Sequence, residues 1–291
     1  MFKNLVYFGS AQFTADIFES LLEAKIVNIV GVVTTPDKPV GRKQVIPPSP
    51  LALAAEKYNL PVYNPETLND ANLAHLKLLK PDIFLVVAYG QYFTESWLKT
   101  PTLATLNIHF SLLPKYRGSL CISESLKNGD TQTGVTLMEM GQKLDAGPII
   151  AQEKVNIDLT DDNTSLNSKL AEISKSLLKD KLPLYLNGTI TAVTQKESEA
   201  VITPSYKTRT KQNAFIDFEQ IKKAQSGTNS LQTHNFIRSQ NPDPGAWTVV
   251  EGKEIKILKT TIHNDHLVIE TVQVSGKNPI TWTQFSTGLK N

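Results

Sequence analysis

Ile83-Phe84-Leu85-Val86-Val87 is an unbroken apolar run, and it constrains the fold more than any other stretch of the sequence. A strand with one face in water alternates apolar and polar residues, whereas a strand covered on both faces does not. The run therefore fits a central strand of a parallel sheet sandwiched between helices. The sequence around it agrees. Leu5 to Phe8 is a second short apolar run, closed by Gly9, and Phe13, Ile17, Leu21 and Leu22 then recur at helical spacing. Ile26 to Thr34 reads as a strand, and Ser49-Pro50 as an N-cap with proline at the first helical position, opening a helix over Leu51 to Tyr58. Val62-Tyr63, Asp70 to Lys80, Glu95 to Lys99 and Leu103 to His109 continue as strand, helix, helix and strand. This alternation predicts an α/β fold, a Rossmann-like parallel sheet flanked by helices.

In such sheets ligands bind beyond the carboxyl ends of the strands. Gly9, Tyr89-Gly90 and Asn107-Ile108-His109 all fall there. Residues two apart on a strand share a face, so Asn107 and His109 stand side by side. An amide donor beside an imidazole suits a carbonyl whose oxygen gains negative charge during reaction; a strand that simply ends in solvated polar residues is the alternative. Gly134 to Met140 alternates like a further strand and runs into a turn that carries Asp145. Asp145 is either an ordinary turn aspartate or a partner that favours the charged form of His109, directly or through water.

Several chemistries are excluded. Gly9-Ser10-Ala11-Gln12-Phe13 lacks the later glycines of a dinucleotide fingerprint, and no phosphate-binding Gly-Lys-Ser/Thr loop occurs. One cysteine and five scattered histidines give no metal-ligand spacing, so no metal is expected, and Cys121 alone forms no internal disulfide. With 30 basic and 28 acidic residues, the net charge of +2 neither demands nor excludes nucleic acid. Met1-Phe2-Lys3-Asn4 opens no signal-type apolar segment and no apolar run approaches membrane-spanning length, so a cytoplasmic protein without membrane attachment is expected.

Residues 165–181 form an amphipathic helical stripe through Leu166, Leu170, Ile173, Leu177 and Leu178. Residues 189–206 read as a polar linker with Gln195-Lys196-Glu197-Ser198-Glu199 at its centre. The domains expected are 1–188 and 207–291. The second contains the basic cluster Lys207, Arg209 and Lys211, then short strands at Trp247–Val250, Ile255–Leu258 and Leu267–Glu270, a pattern suggesting a small β-barrel.

Asn107-Ile108-His109, Ser111-Leu112-Leu113-Pro114, Arg117-Gly118 and Leu144-Asp145-Ala146-Gly147 together resemble the 10-formyltetrahydrofolate-dependent formyltransferases. Pro36-Asp37-Lys38-Pro39-Val40-Gly41-Arg42, with Pro48-Ser49-Pro50, resembles the branch that acts on methionyl-tRNA. The resemblance is close over residues 1 to about 188 and looser beyond. It implies that Asn107, His109 and Asp145 are catalytic. It also implies that 10-formyltetrahydrofolate, the co-substrate, binds at Ser111, Leu112, Leu113, Pro114, Val87, Ala88, Tyr89 and Gly90. Ser111 to Pro114 would supply backbone groups and an apolar wall, and ordinary core packing is the alternative for Leu112 and Leu113. Lys38, Arg42 and Lys43, on a loop too polar and too broken by proline to pack, would meet the acceptor arm of initiator methionyl-tRNA. Lys207, Arg209 and Lys211 are assigned to the same partner, and the C-terminal domain would be a shortened OB-like barrel in a monomeric enzyme.

Three departures from the family pattern bear on the pocket. Phe110 replaces glycine, Ser119-Leu120-Cys121 replaces a small-residue and proline string, and Gly141 replaces an acidic residue. A sugar N-formyltransferase acting on a nucleotide-linked amino sugar would share the same three polar residues. So would a hydrolase of formylfolate, while a non-catalytic relative that only binds tRNA or folate has less need of them.

Overall fold

The computed structural model describes residues 2–37 and 47–288, and these divide into two compact units that interleave along the chain. One comprises Met1–Arg117, Gly134–Lys154 and Lys169–Ala200; the other comprises Gly118–Thr133, Val155–Ser168 and Val201–Asn291.

The first 160 residues build β1 (Asn4–Phe8), α1 (Gln12–Ala24), β2 (Asn28–Val33), α2 (Pro50–Lys57), β3 (Val62–Tyr63), α3 (Asp70–Lys77), β4 (Ile83–Val87), α4 (Glu95–Leu98), β5 (Ala104–His109), α5 (Cys121–Lys127), β6 (Gln132–Glu139) and β7 (Ile149–Asn156). They are followed by α6 (Asn163–Leu186). The sheet order is β3-β2-β1-β4-β5-β6-β7, with β1 to β5 all parallel. β6 pairs antiparallel to β5, so the expected parallel sheet is a mixed one with a parallel half. β4 lies between β1 and β5, and all five of its residues are buried, as the continuous apolar run requires. One sheet face carries an aromatic cluster in which Phe8 meets Phe84, Tyr89, Phe93 and Trp97 edge-on at centroid distances of 5.0 to 6.5 Å. The Ser49 cap is present: its Oγ accepts from Ala52 N at 3.1 Å, and Pro50 occupies the first turn.

The other unit is built around α7 (Phe218–Gln225), α8 (Ser230–Gln240), β8 (Trp247–Val250), β9 (Lys253–His263), β10 (His266–Val274), β11 (Ile280–Thr281) and α9 (Trp282–Thr287). Its antiparallel sheet runs β11-β10-β9-β8, and its core joins Ile221, Ile237, Ile255, Ile257, Val272 and Phe285. The expected short strands are longer than their apolar alternation indicated, eleven residues for β9 and nine for β10. The two are joined by a tight turn through Asn264 and Asp265, both with positive φ, so pairing propagates along the whole hairpin.

Candidate active site

Asn107 and His109 occupy the last turns of the pleat in β5, where Asn107 pairs with Val86 on one side and Met138 on the other. Period-two geometry brings both side chains to one face, as the sequence predicts. His109 is buried, and its Nε2 lies 2.9 Å from the carbonyl oxygen of Tyr116. A carbonyl only accepts, so Nε2 carries a proton. The other nitrogen, Nδ1, lies 3.7 Å from Asp145 Oδ2. That separation exceeds a hydrogen bond and leaves Nδ1 facing a carboxylate across a gap that a water or a ligand atom can bridge. The ring thus has a carbonyl opposite one nitrogen and a carboxylate opposite the other. The Asn107 amide has no hydrogen-bond partner among the described residues, although it is partly buried. Being only half-buried, the amide is open to solvent at the strand end.

Asp145 sits in the turn between β6 and β7 with φ of 47°, a left-handed conformation that aspartate adopts more readily than most residues. Two residues on, Gly147 permits the close return of the chain, because a Cβ there would stand 1.9 Å from the carbonyl oxygen of Glu139. The turn is fastened from outside its own sequence. Gln195 Nε2 donates to the carbonyl oxygens of Asp145 at 2.8 Å and Gly147 at 2.7 Å, and its Oε1 accepts from Arg117 Nε at 3.0 Å. Arg117, itself buried, closes the chain with a two-pronged pair to Glu197 at 3.0 and 2.9 Å. This arrangement holds the Glu197 carboxyl below its usual range, chiefly through the hydrogen bond from Arg117.

Ser111 to Pro114 forms the next corner, and its polar groups are turned inward. Ser111 Oγ donates to the Lys115 carbonyl at 2.6 Å. Thr136 Oγ1 donates to the Ser111 carbonyl at 2.6 Å and accepts from Leu113 N at 3.2 Å, while Gln152 Nε2 reaches both Thr136 Oγ1 and the Leu113 carbonyl. The backbone groups expected to face folate at Ser111 and Leu113 are therefore occupied within the protein, and what this corner offers a ligand is shape and the half-buried Leu112 and Pro114. At the end of β4, Val87 is buried, Ala88 and Gly90 are exposed with φ of 47° and 81°, and Tyr89 turns into the core. Burial pushes the Tyr89 phenol above its ordinary pKa, so it stays neutral, accepting a hydrogen bond from Gln91 Nε2 at 3.3 Å. A left-handed alanine at a strand end costs about 1 kcal/mol and marks a loop held in one shape. Phe110, just past the end of β5, packs on Phe13 with ring centroids 5.5 Å apart. Its ring fills a buried position instead of standing free beside the imidazole.

Lys38, Arg42 and Lys43 lie outside the described residues. The C-terminal basic cluster divides. Lys207 is exposed, and Lys211, also exposed, reaches Glu254 at 2.6 Å and lies over the Trp247 ring. Arg209 turns inward: its guanidinium donates to Ser123 Oγ at 2.5 Å and to the Ser239 and Gln240 carbonyls. The expected phosphate contact at Arg209 is thus replaced by a bracing role inside its own unit, because three acceptors already surround it.

Sequence reading missed Gln195, Thr136 and Gln152. None belongs to a motif, and only their spatial partners distinguish them from surface residues. Among the described residues no three His, Cys, Asp or Glu gather as a metal site, and no helix is long and apolar enough to cross a membrane. A cavity of about 330 Å³ beside β3 and α3 is lined by residues such as Tyr63, Asn72, His75 and Trp97, none of them part of the His109 site.

The class of protein follows from its relatives. The family model for formyl transferase matches residues 3–182 and the model for its C-terminal domain matches residues 209–267. The chain belongs to the formyl transferase family. A methionyl-tRNA formyltransferase of Lactobacillus gasseri is 39% identical over 258 residues, covering 88% of this chain and 78% of its own. That of Staphylococcus epidermidis is 32% identical over 313 aligned positions, covering 99% and 97%. Among solved structures, an N-formyltransferase from Helicobacter canadensis in complex with folinic acid and dTDP-3-aminofucose shares the fold with a TM-score of 0.66, at 21% identity over 95% of this chain and 96% of that one.

Proposed function

We propose that this formyltransferase moves the formyl group of 10-formyltetrahydrofolate to the α-amino group of initiator methionyl-tRNA, as a monomer in the cytoplasm. The observation that carries the chemistry is the unpartnered Asn107 amide beside His109, whose Nδ1 lies 3.7 Å from Asp145. The methionyl amine attacks the formyl carbon, a C–N bond forms, and the carbonyl electron pair moves to oxygen. Asn107 and His109 Nδ1, the ring nitrogen not held by the Tyr116 carbonyl, supply donors to that oxyanion, and one such donor is worth about 10²–10³ in rate. Collapse breaks the bond to the folate nitrogen, which gains a proton as the amine loses one; Asp145 holds a bridging water on that path. Ala88 and Gly90 are proposed to meet the folate with Leu112 and Pro114, while the buried Val87 and Tyr89 fix that segment from behind. Ser111 and Leu113 shape that corner from behind.

The acceptor assignment rests on the relatives at 32–39% identity and on the Lys38, Arg42 and Lys43 loop. Residues 207–291 are proposed to add tRNA phosphate contacts through Lys207 and Lys211. A sugar acceptor is the second reading, favoured by the fold shared with solved structures such as the Helicobacter canadensis enzyme. The test is to supply 10-formyltetrahydrofolate with methionyl-tRNA, with an amino-sugar nucleotide, or with no acceptor, and to follow release of tetrahydrofolate. Release dependent on methionyl-tRNA is expected; formylation of the sugar with none of the tRNA would sink the reading.

A further inference from the structure

His109 is held from two sides, and both lead to Arg117. On one side Nε2 donates to the carbonyl of Tyr116, the residue joined to Arg117 by a peptide bond. On the other, Nδ1 faces Asp145, whose own carbonyl is bound by Gln195, which in turn is bound by Arg117. Gln195 is only 8% exposed in a run where its next four neighbours, Lys196 to Glu199, are all exposed. A polar connector has no reason to bury one amide unless the amide is used. Its two donors go to two carbonyls that flank Ala146, and its acceptor goes to a guanidinium, so all its capacity but one lone pair is spent on this junction. The approach is also anchored by backbone. Val193 and Ile149 exchange both their hydrogen bonds, each at 2.8 Å, which lays residues 193–195 beside the start of β7.

We infer that Gln195, aligned by Arg117 and Glu197, is a positioning residue for formyl transfer, setting the distance between the Asp145 carboxylate and His109 Nδ1. Gln195 touches neither reacting group. It works through the main chain of the turn, by holding the carbonyls on either side of Ala146. A displacement of about 1 Å at such a site costs on the order of 10²-fold in rate. Asparagine at 195 would fall short by one methylene. Glutamate there would keep the Arg117 contact but set a carboxylate against two carbonyl oxygens.

The inference rests on the proposed formyl transfer, and a double-mutant cycle tests it separately. Formylmethionyl-tRNA formation is measured for wild type, Gln195→Leu, Asp145→Asn and the double variant. Gln195→Leu is expected to lower kcat by about 10- to 100-fold with KM for the folate within about threefold, and to cost less than about threefold when Asp145 is already Asn. Losses that multiply in the double variant, or a kcat for Gln195→Leu within threefold of wild type, would overturn it. Should Gln195→Leu not fold, Glu197→Gln at the exposed end of the chain takes its place. It is expected to lower kcat about three- to tenfold in wild type alone, and equal losses in both backgrounds would overturn the inference. If wild type forms no product with any acceptor, it is the functional reading that fails. The His109 ring ¹⁵N resonances then decide on Gln195: they shift in Gln195→Leu if it sets the geometry, and stay fixed if it does not.

Discussion

Each of the two units buries a histidine, and the pair differ in what surrounds the second ring nitrogen. His109 and His234 are both almost fully buried, and each places Nε2 on a backbone carbonyl, that of Tyr116 at 2.9 Å and that of Leu159 at 2.7 Å. His234 completes its bonding with Thr260 Oγ1 at 2.8 Å from Nδ1, which satisfies a neutral ring. His109 has a carboxylate at 3.7 Å instead, next to an amide with no partner. The same contrast extends outward. Around His234, Arg238 donates to Asn235 Oδ1 and to the carbonyls of Asp158 and Asp161, and Asn163 Nδ2 reaches those of Ser239 and Asn241. A polar cluster that satisfies itself holds a fold together; one that leaves donors open at a strand end is prepared for a ligand. Burial and residue type alone do not separate the two.

The comparison breaks most readily at His109. His109→Ala is expected to abolish measurable turnover while the thermal midpoint stays near wild type; activity within about tenfold of wild type would place His109 with His234 as a structural residue. Next in size is the neighbouring Phe110. If its ring belongs to the packing with Phe13, Phe110→Ala costs about 3 kcal/mol in urea unfolding, and a loss near zero would return the ring to the pocket. At His234 the loss is one of stability, with formylation by the folded protein kept. His234→Ala leaves the Leu159 and Thr260 groups unpaired and costs about 1–3 kcal/mol.

His234 also carries a pH signature. Burial, partly opposed by the Leu159 carbonyl, lowers its pKa, so the folded protein holds the ring neutral. The unfolded chain binds that proton more readily, near the ordinary value of about 6.5. The stability contribution is therefore whole above about pH 6.5 and declines as pH falls through the lower folded value. Thermal midpoints followed from pH 8 to 5 should show this acid loss in wild type and less of it in His234→Gln, whose amide does not titrate. The smallest effect expected is at the surface. Lys207→Glu should weaken methionyl-tRNA binding a few-fold and lower the slope of log affinity against log salt by about 1, whereas an unchanged slope would remove Lys207 from the interface.

Much of the sheet was legible because its signals are local. The Ile83–Val87 run announces a covered strand, Ser49-Pro50 a helix start, and period two alone puts Asn107 and His109 together. The direction of β6 was not legible, since alternation of apolar residues is the same whichever way a strand runs. Nor was the inward packing of Ser111 to Pro114, which depends on Thr136 and Gln152, up to 39 residues away. Lys207, Arg209 and Lys211 look alike as a basic cluster, yet only the fold reveals that Arg209 is encircled by Ser123, Ser239 and Gln240. Gln195 was hidden most completely. One amide in a polar run carries no periodicity, and its meaning lies in two carbonyls about fifty residues back.

Asn107 carries the central claim, because an open amide at the strand end is what distinguishes a site from a satisfied core. The most direct measurement is the single-turnover rate of formyl transfer to methionyl-tRNA by Asn107→Ala, read beside its affinity for 10-formyltetrahydrofolate. A rate lowered by about 10²–10³ with folate affinity unchanged is the result expected of a donor that serves the oxyanion. A rate within about threefold of wild type would contradict it.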